Sequence, residues 1–120
     1  MIMLVDDEEL VIDVGRRMLN KLGYEVLTAA SGEEALTVYP PNQDNIDAII
    51  LDMIMPTMGG GEVFDKLKEI NPHVRVIISS GYGLDAPAQE ILDRGGCGFI
   101  PKPFNLQDLS QTIHTVLINK

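Results

Sequence analysis

Residues 46–51 read IDAIIL and are followed directly by Asp52. A run this apolar and this rich in isoleucine does not alternate as a half-exposed strand must, so it reads as a strand buried on both faces. Burial on both faces demands a covering layer on each side. In a chain of 120 residues, 45% of them hydrophobic, there is enough sequence for one core and too little for two ordinary domains. The covering layers must therefore come from the same unit, and residues 1–120 are read as a single domain.

The rest of the chain supplies those layers in alternation. MIMLV is an apolar run ended by DDEE, after which Val11, Val14, Met18 and Leu22 recur at helical spacing, with Gly23 as the helix stop. YEVLTA reads as a second strand. Ser31 and Glu34 form a capping box for a second helix, which Pro40 and Pro41 are expected to end. After IDAIIL, the loop MIMPTMGGG leads into the helix EVFDKLKEI, stopped at Asn71-Pro72. VRVIIS is a fourth strand, SGYGLDAP a loop, residues 86–94 a helix and GFIP a fifth strand. Asn105 caps a last helix carrying Leu106, Leu109, Ile113 and Val116 along one side. Five strands alternating with five helices imply a parallel sheet covered on both faces.

In such a sheet a ligand site lies beyond the carboxyl ends of the strands. Here those ends carry Asp6 and Asp7, Asp52, Ser79 and Ser80, and Lys102. Singly, each has an ordinary reading: Asp6 and Asp7 as helix caps, Asp52 as a turn residue, the serines as loop residues and Lys102 as a solvated charge. Together they bring carboxylates, hydroxyls and an ammonium to one edge. Close carboxylates repel, so either one keeps a proton or a cation sits among them. An all-oxygen cluster suits Mg²⁺, and a lysine opposite it completes a pocket for a phosphoryl group, with Asp52 the best placed nucleophile. Met53, Met55 and Met58 read as packing, His73 and His114 as isolated, and Cys97, the single cysteine, as a small apolar filler.

The segments MLVDDEE, IILDMIMPTMGGGEVF, VIISSGY and FIPKPF, in this order and spacing, resemble the receiver domain of two-component response regulators across essentially the whole chain. The resemblance implies an α/β flavodoxin-like (βα)5 doubly wound parallel sheet of strand order 2-1-3-4-5. It implies Asp52 as phosphoacceptor and Asp6 and Asp7 as the acidic pair holding Mg²⁺, with Asp52 and the carbonyl of Ile54 as further ligands. Ser80 matches the switch hydroxyl, Lys102 the lysine that pairs with the phosphoryl group, and Phe99 the switch aromatic. The Lys102-Pro103 bond resembles one that is usually cis. The implied reaction is Mg²⁺-dependent transfer from the phosphohistidine of a histidine kinase or histidine phosphotransfer domain, followed by a change in the surface of the fourth helix, fifth strand and last helix. Ile54 and Tyr82 offer no carboxylate or amide to orient water, so slow self-hydrolysis is expected.

GYEVLTAASGEEAL, DMIMPTMGG and SSGY are most similar to the carboxyl-terminal receivers of hybrid sensor histidine kinases. Both a domain cut from such a kinase, working with the fused kinase domain or a downstream effector, and a freestanding regulator stay open. A pseudo-receiver that only binds protein is the main alternative, although every acid and the lysine are present. A dehalogenase-type phosphatase is disfavoured by Ile54, where a second acid would stand. The net charge of -9 disfavours nonspecific attachment to nucleic acid or anionic lipid. No apolar run approaches a membrane span, and a cytoplasmic location is expected.

Overall fold

A computed structural model describes residues 1–118. Strands β1 (Ile2–Val5), β2 (Val26–Ala29), β3 (Ala48–Asp52), β4 (Val76–Ser80) and β5 (Gly98–Pro101) alternate with helices α1 (Glu9–Lys21), α2 (Gly32–Asn42), α3 (Gly60–Ile70), α4 (Ala86–Asp93) and α5 (Leu106–Ile118). All pairings are parallel and the strand order is β2-β1-β3-β4-β5, the flavodoxin-like arrangement the sequence implied. The IDAIIL run supplies the middle strand, and every residue of β3 is buried.

Strand alternation divides the core in two. Ile2, Leu4, Ile50, Ile77 and Ile100 point to the face covered by α1 and α5, meeting Leu19, Leu109, Ile113 and Val116. Met3, Val5, Ile49, Leu51, Val76 and Ile78 point to the opposite face, against Tyr39 of α2, Phe64 of α3 and Ile91 of α4. This division follows from right-handed crossovers, which put the connections on opposite faces when the chain reverses direction across the sheet. No helix among the described residues is long and apolar enough to cross a membrane.

The helix ends follow local chemistry. Gly23, at φ 97°, takes the left-handed turn after α1. The Ser31 hydroxyl accepts the Glu34 N–H at 3.1 Å, and the Glu34 carboxylate accepts the Ala30 N–H at 3.2 Å. Asn105 accepts the Asp108 N–H at 2.8 Å, capping α5.

Four expectations need correction. Pro40 and Pro41 do not end α2, which continues to Asn42. Both prolines lie on the exposed side of the last turn, where carbonyls deprived of a partner can be hydrated. Buried Tyr39, whose hydroxyl accepts from Asn71 at 3.1 Å, holds that turn to the core. Val14 is exposed, while Val11, Met18 and Leu22 pack against the core as the spacing implied and Gly15 and Leu19 are the buried residues of α1. Ser80, expected to open the loop, is instead the last residue of β4 and is buried, as is Ser79 beside it. Cys97 is exposed, because it precedes an edge strand and is no filler.

One glycine fixes how the central strand ends. The Gly60 N–H donates to the Met53 carbonyl at 2.9 Å, so the first turn of α3 lies directly on the backbone leaving β3. A Cβ at Gly60 would sit 2.6 Å from the Asp52 carbonyl oxygen and 2.8 Å from Met53 Cα, both backbone atoms that cannot swing aside. Gly60→Ala is therefore expected to destabilise the domain by about 1–3 kcal/mol, the usual cost of overpacking. Urea unfolding checks this, and an unchanged midpoint contradicts it.

Candidate functional site

The carboxyl ends of β1, β3, β4 and β5 meet at one edge of the sheet, where strand order reverses between β1 and β3. Among the described residues the buried polar or charged ones are Asp6, Asp52, Ser79 and Ser80. All four lie at this edge. Burying a carboxylate is costly unless it is paired, and its partner is Lys102. The Lys102 Nζ lies 3.1 Å from Asp6 Oδ2, 3.1 Å from Asp52 Oδ1 and 3.9 Å from Glu8 Oε1, with only 13% of its side chain exposed.

Smaller contacts hold these groups in place. Asp6 Oδ1 accepts the Glu8 N–H at 2.9 Å, and Asp52 Oδ1 accepts the Ile54 N–H at 3.4 Å. The Ser80 hydroxyl oxygen accepts the Tyr82 N–H at 3.1 Å. Asp52 Oδ2 has no hydrogen-bond partner. Above these residues opens a cleft of about 490 Å³ lined also by Asp7, Glu8, Ile54, Gly81 and Tyr82.

One ammonium cannot neutralise two buried carboxylates. Burial, and then the charge of Asp6, raise the Asp52 pKa from 3.8 to about 6, while the charge and hydrogen bond of Lys102 and the Ile54 N–H pull it back. For Lys102, burial lowers the pKa, but Asp6 and Asp52 together outweigh it and the net shift is upward. The site is thus short of positive charge. Carboxylate oxygens of Asp6, Asp7 and Glu8 come within 4.8 Å of one another beside it. This all-oxygen donor set, with the unpartnered Oδ2 of Asp52 in the same cleft, fits a hard divalent cation such as Mg²⁺.

Asp6, Asp52, Ser80 and Lys102 are brought together, with Asp7 and Ile54 exposed at the rim. Phe99 lies outside the cleft, partly buried on the α2–α3–α4 face beside Ile78, with which it is in register. The Lys102-Pro103 bond is cis, and Pro103 borders a separate apolar cleft of about 150 Å³ with Leu10, Val14 and Phe104. Met55 is buried in the core with Met53 and Met58 packed against it, while His73 and His114 are exposed. One residue at the site was not singled out from sequence. Glu8 extends the acidic pair and its signal is the unbroken DDEE run. Ser79 shares the strand parity that points Asp52 at this edge.

The chain belongs to the response regulator receiver domain family, which matches residues 2–114. It is 37% identical over 116 residues to the sensor kinase CckA of Brucella abortus, covering 97% of this chain but 12% of that protein. It is 31% identical over 116 residues to the sporulation initiation phosphotransferase F of Bacillus subtilis, covering 97% of this chain and 92% of that protein. A receiver domain protein from Clostridium thermocellum superimposes with a TM-score of 0.92 at 35% identity, covering 98% of this chain and 93% of that one. Its general function is that of a receiver domain in a phosphorelay, built on a lysine–aspartate network at the sheet edge.

The raised Asp52 pKa has a signed consequence for stability. The folded state binds this proton more tightly than the unfolded chain, so stability falls as pH rises from about 4 to about 6, and the whole cost stands above that. Asparagine carries no charge at any of these pH values. In metal-free buffer Asp52→Asn is expected to be more stable than the parent by roughly 1–3 kcal/mol at pH 7.5, with the difference vanishing below about pH 4. Denaturation midpoints across that range are the check.

Proposed function

We propose that residues 1–120 act as one receiver domain in the cytoplasm that accepts a phosphoryl group on Asp52 from the phosphohistidine of a histidine kinase or histidine phosphotransfer domain. The observation that carries this reading is the buried contact of Asp52 with Lys102 at the floor of an open, acid-rimmed cleft. Asp6, Asp7, Asp52 and the carbonyl of Ile54 would hold Mg²⁺, with Glu8 beside them. The cation supplies neutralisation of the phosphoryl oxygens and of the carboxylates that surround them.

In the transfer, an Asp52 oxygen forms a bond to phosphorus as the phosphorus–nitrogen bond breaks. The departing imidazole keeps the bonding pair. Little covalent chemistry is asked of the protein, so its work is positioning and charge stabilisation. Lys102 follows the charge, moving a hydrogen bond from the carboxylate to a phosphoryl oxygen. The Ser80 oxygen accepts from Tyr82, which leaves its own proton to be donated to a second phosphoryl oxygen.

The switch follows from strand parity. Ser80 and Phe99 project to the same face of the sheet, Phe99 beside Ile78, two residues before Ser80. Movement of Ser80 toward the phosphoryl group frees space into which Phe99 turns, altering the surface formed by α4, β5 and α5. Contacts that only the phosphorylated state makes shift the population toward that packing. A downstream effector or a fused kinase domain would read that surface.

Incubation with acetyl phosphate and Mg²⁺ is expected to add one phosphoryl group by intact mass, and none to Asp52→Asn or in the presence of a chelator. Lys102→Ala should slow the gain by about 100-fold or more. With Ile54 and Tyr82 at the cleft rim, the adduct is expected to persist for minutes or longer. No adduct on the parent domain, or an adduct on Asp52→Asn, overturns the reading; decay within seconds overturns the slow hydrolysis.

A further inference from the structure

Ser79 is 1% exposed and its hydroxyl has no hydrogen-bond partner. A buried hydroxyl left unpaired is costly and calls for a reason. Its position in the sheet gives one. In the parallel register of β3 and β4, Ser79 is the residue directly beside Asp52. Ile77 and Ile50 both point to the α1–α5 face, and two residues further along each strand the alternation turns Ser79 and Asp52 to that same face. The oxygen without a partner on Asp52 is Oδ2, since Oδ1 is taken by Lys102 and the Ile54 N–H. Two buried polar atoms, one able to donate and the other able only to accept, are therefore carried by paired residues of neighbouring strands, whose backbones run about 5 Å apart.

We propose that the Ser79 hydroxyl is a positioning donor to Asp52 Oδ2, reaching it after a small side-chain rotation or through one buried water, and that it sets how readily Asp52 gives up a phosphoryl group. This rests on Asp52 being the phosphoacceptor. An ionised carboxylate oxygen keeps further lone pairs, so a donor from the strand side does not compete with a cation on the cleft side.

The two states of Asp52 value this donor differently. In the free carboxylate the bond is charge-assisted; in the acyl phosphate the same oxygen is an ester-like carbonyl and a weaker acceptor. When water attacks phosphorus, the phosphorus–oxygen bond to Asp52 breaks, its electron pair returns to the carboxylate, and inorganic phosphate leaves. Ser79 stabilises the carboxylate that departs, and so favours loss of the phosphoryl group. Ser79 is not itself among the residues proposed to hold the cation, which are Asp6, Asp7, Asp52 and Ile54.

The test compares the parent domain with Ser79→Ala. After acetyl phosphate is removed, the variant's adduct is expected to last about three- to tenfold longer, as a charge-assisted bond exceeds a neutral one. In the unphosphorylated domain at pH 8 without metal, the Asp52 carboxyl carbon should change its chemical shift by NMR while that of exposed Asp47 does not. An unchanged Asp52 resonance overturns the proposal whether or not the domain can be phosphorylated. An unchanged or shortened lifetime overturns it too. Absence of any adduct on both proteins, with the Asp52 resonance shifted, sinks the phosphoacceptor assignment and with it the effect on lifetime, while the hydrogen bond stands.

Discussion

The contact of Lys102 with Asp6 and Asp52, 3.1 Å to each, is the constraint on which the site depends. It ties together β1, β3 and the segment after β5, three parts of the chain that the hydrophobic core aligns but does not specify at their ends. The core below is apolar on both faces of the sheet and is indifferent to which side chain caps each strand. What the contact adds is a fixed place for charge. Removing Lys102 costs more than the contact itself contributes, because it strands two buried carboxylates at once.

The same contact leaves a deficit. Two carboxylates share one ammonium, Asp7 and Glu8 stand at the rim, and Asp52 holds its proton up to about pH 6. The site's excess of negative charge favours a divalent cation, and one held there would let an anionic donor approach a cleft that otherwise repels it. The energy withheld from stability at Asp52 is thus tied to the chemistry proposed for it, a pattern expected where ionisable groups are buried for function.

Much of this was legible in the residues. The apolar runs ended by Asp, Ser and Lys defined both the strands and the edge at which they terminate, since in a parallel sheet all carboxyl ends face one way. The order of the strands came from the resemblance of four motifs, because periodicity cannot rank strands in space. The errors have local causes. Pro40 and Pro41 were read by their intrinsic effect on a helix, which the anchoring of Tyr39 overrides. On α1, Val14 was placed inward because the rule weighs apolarity, whereas Gly15 is the residue that allows close approach: a Cβ there would come 2.8 Å from Leu4. Ser79 was placed at a strand end but given no role of its own, because a serine at the end of an apolar run looks like the start of a loop. Only the register beside Asp52 shows it as part of the site.

The central claim is that Asp52, among the several acids at this edge, carries the phosphoryl group. Borohydride reduces an aspartyl phosphate to homoserine and leaves a free carboxylate alone, so it marks the residue itself. Applied to the domain after exposure to acetyl phosphate and Mg²⁺, followed by digestion and peptide mass mapping, it is predicted to place homoserine at position 52 and nowhere else. Homoserine at position 6 or 7, 5-hydroxynorvaline at position 8, or no reduced residue in a domain that has gained phosphoryl mass would contradict the account.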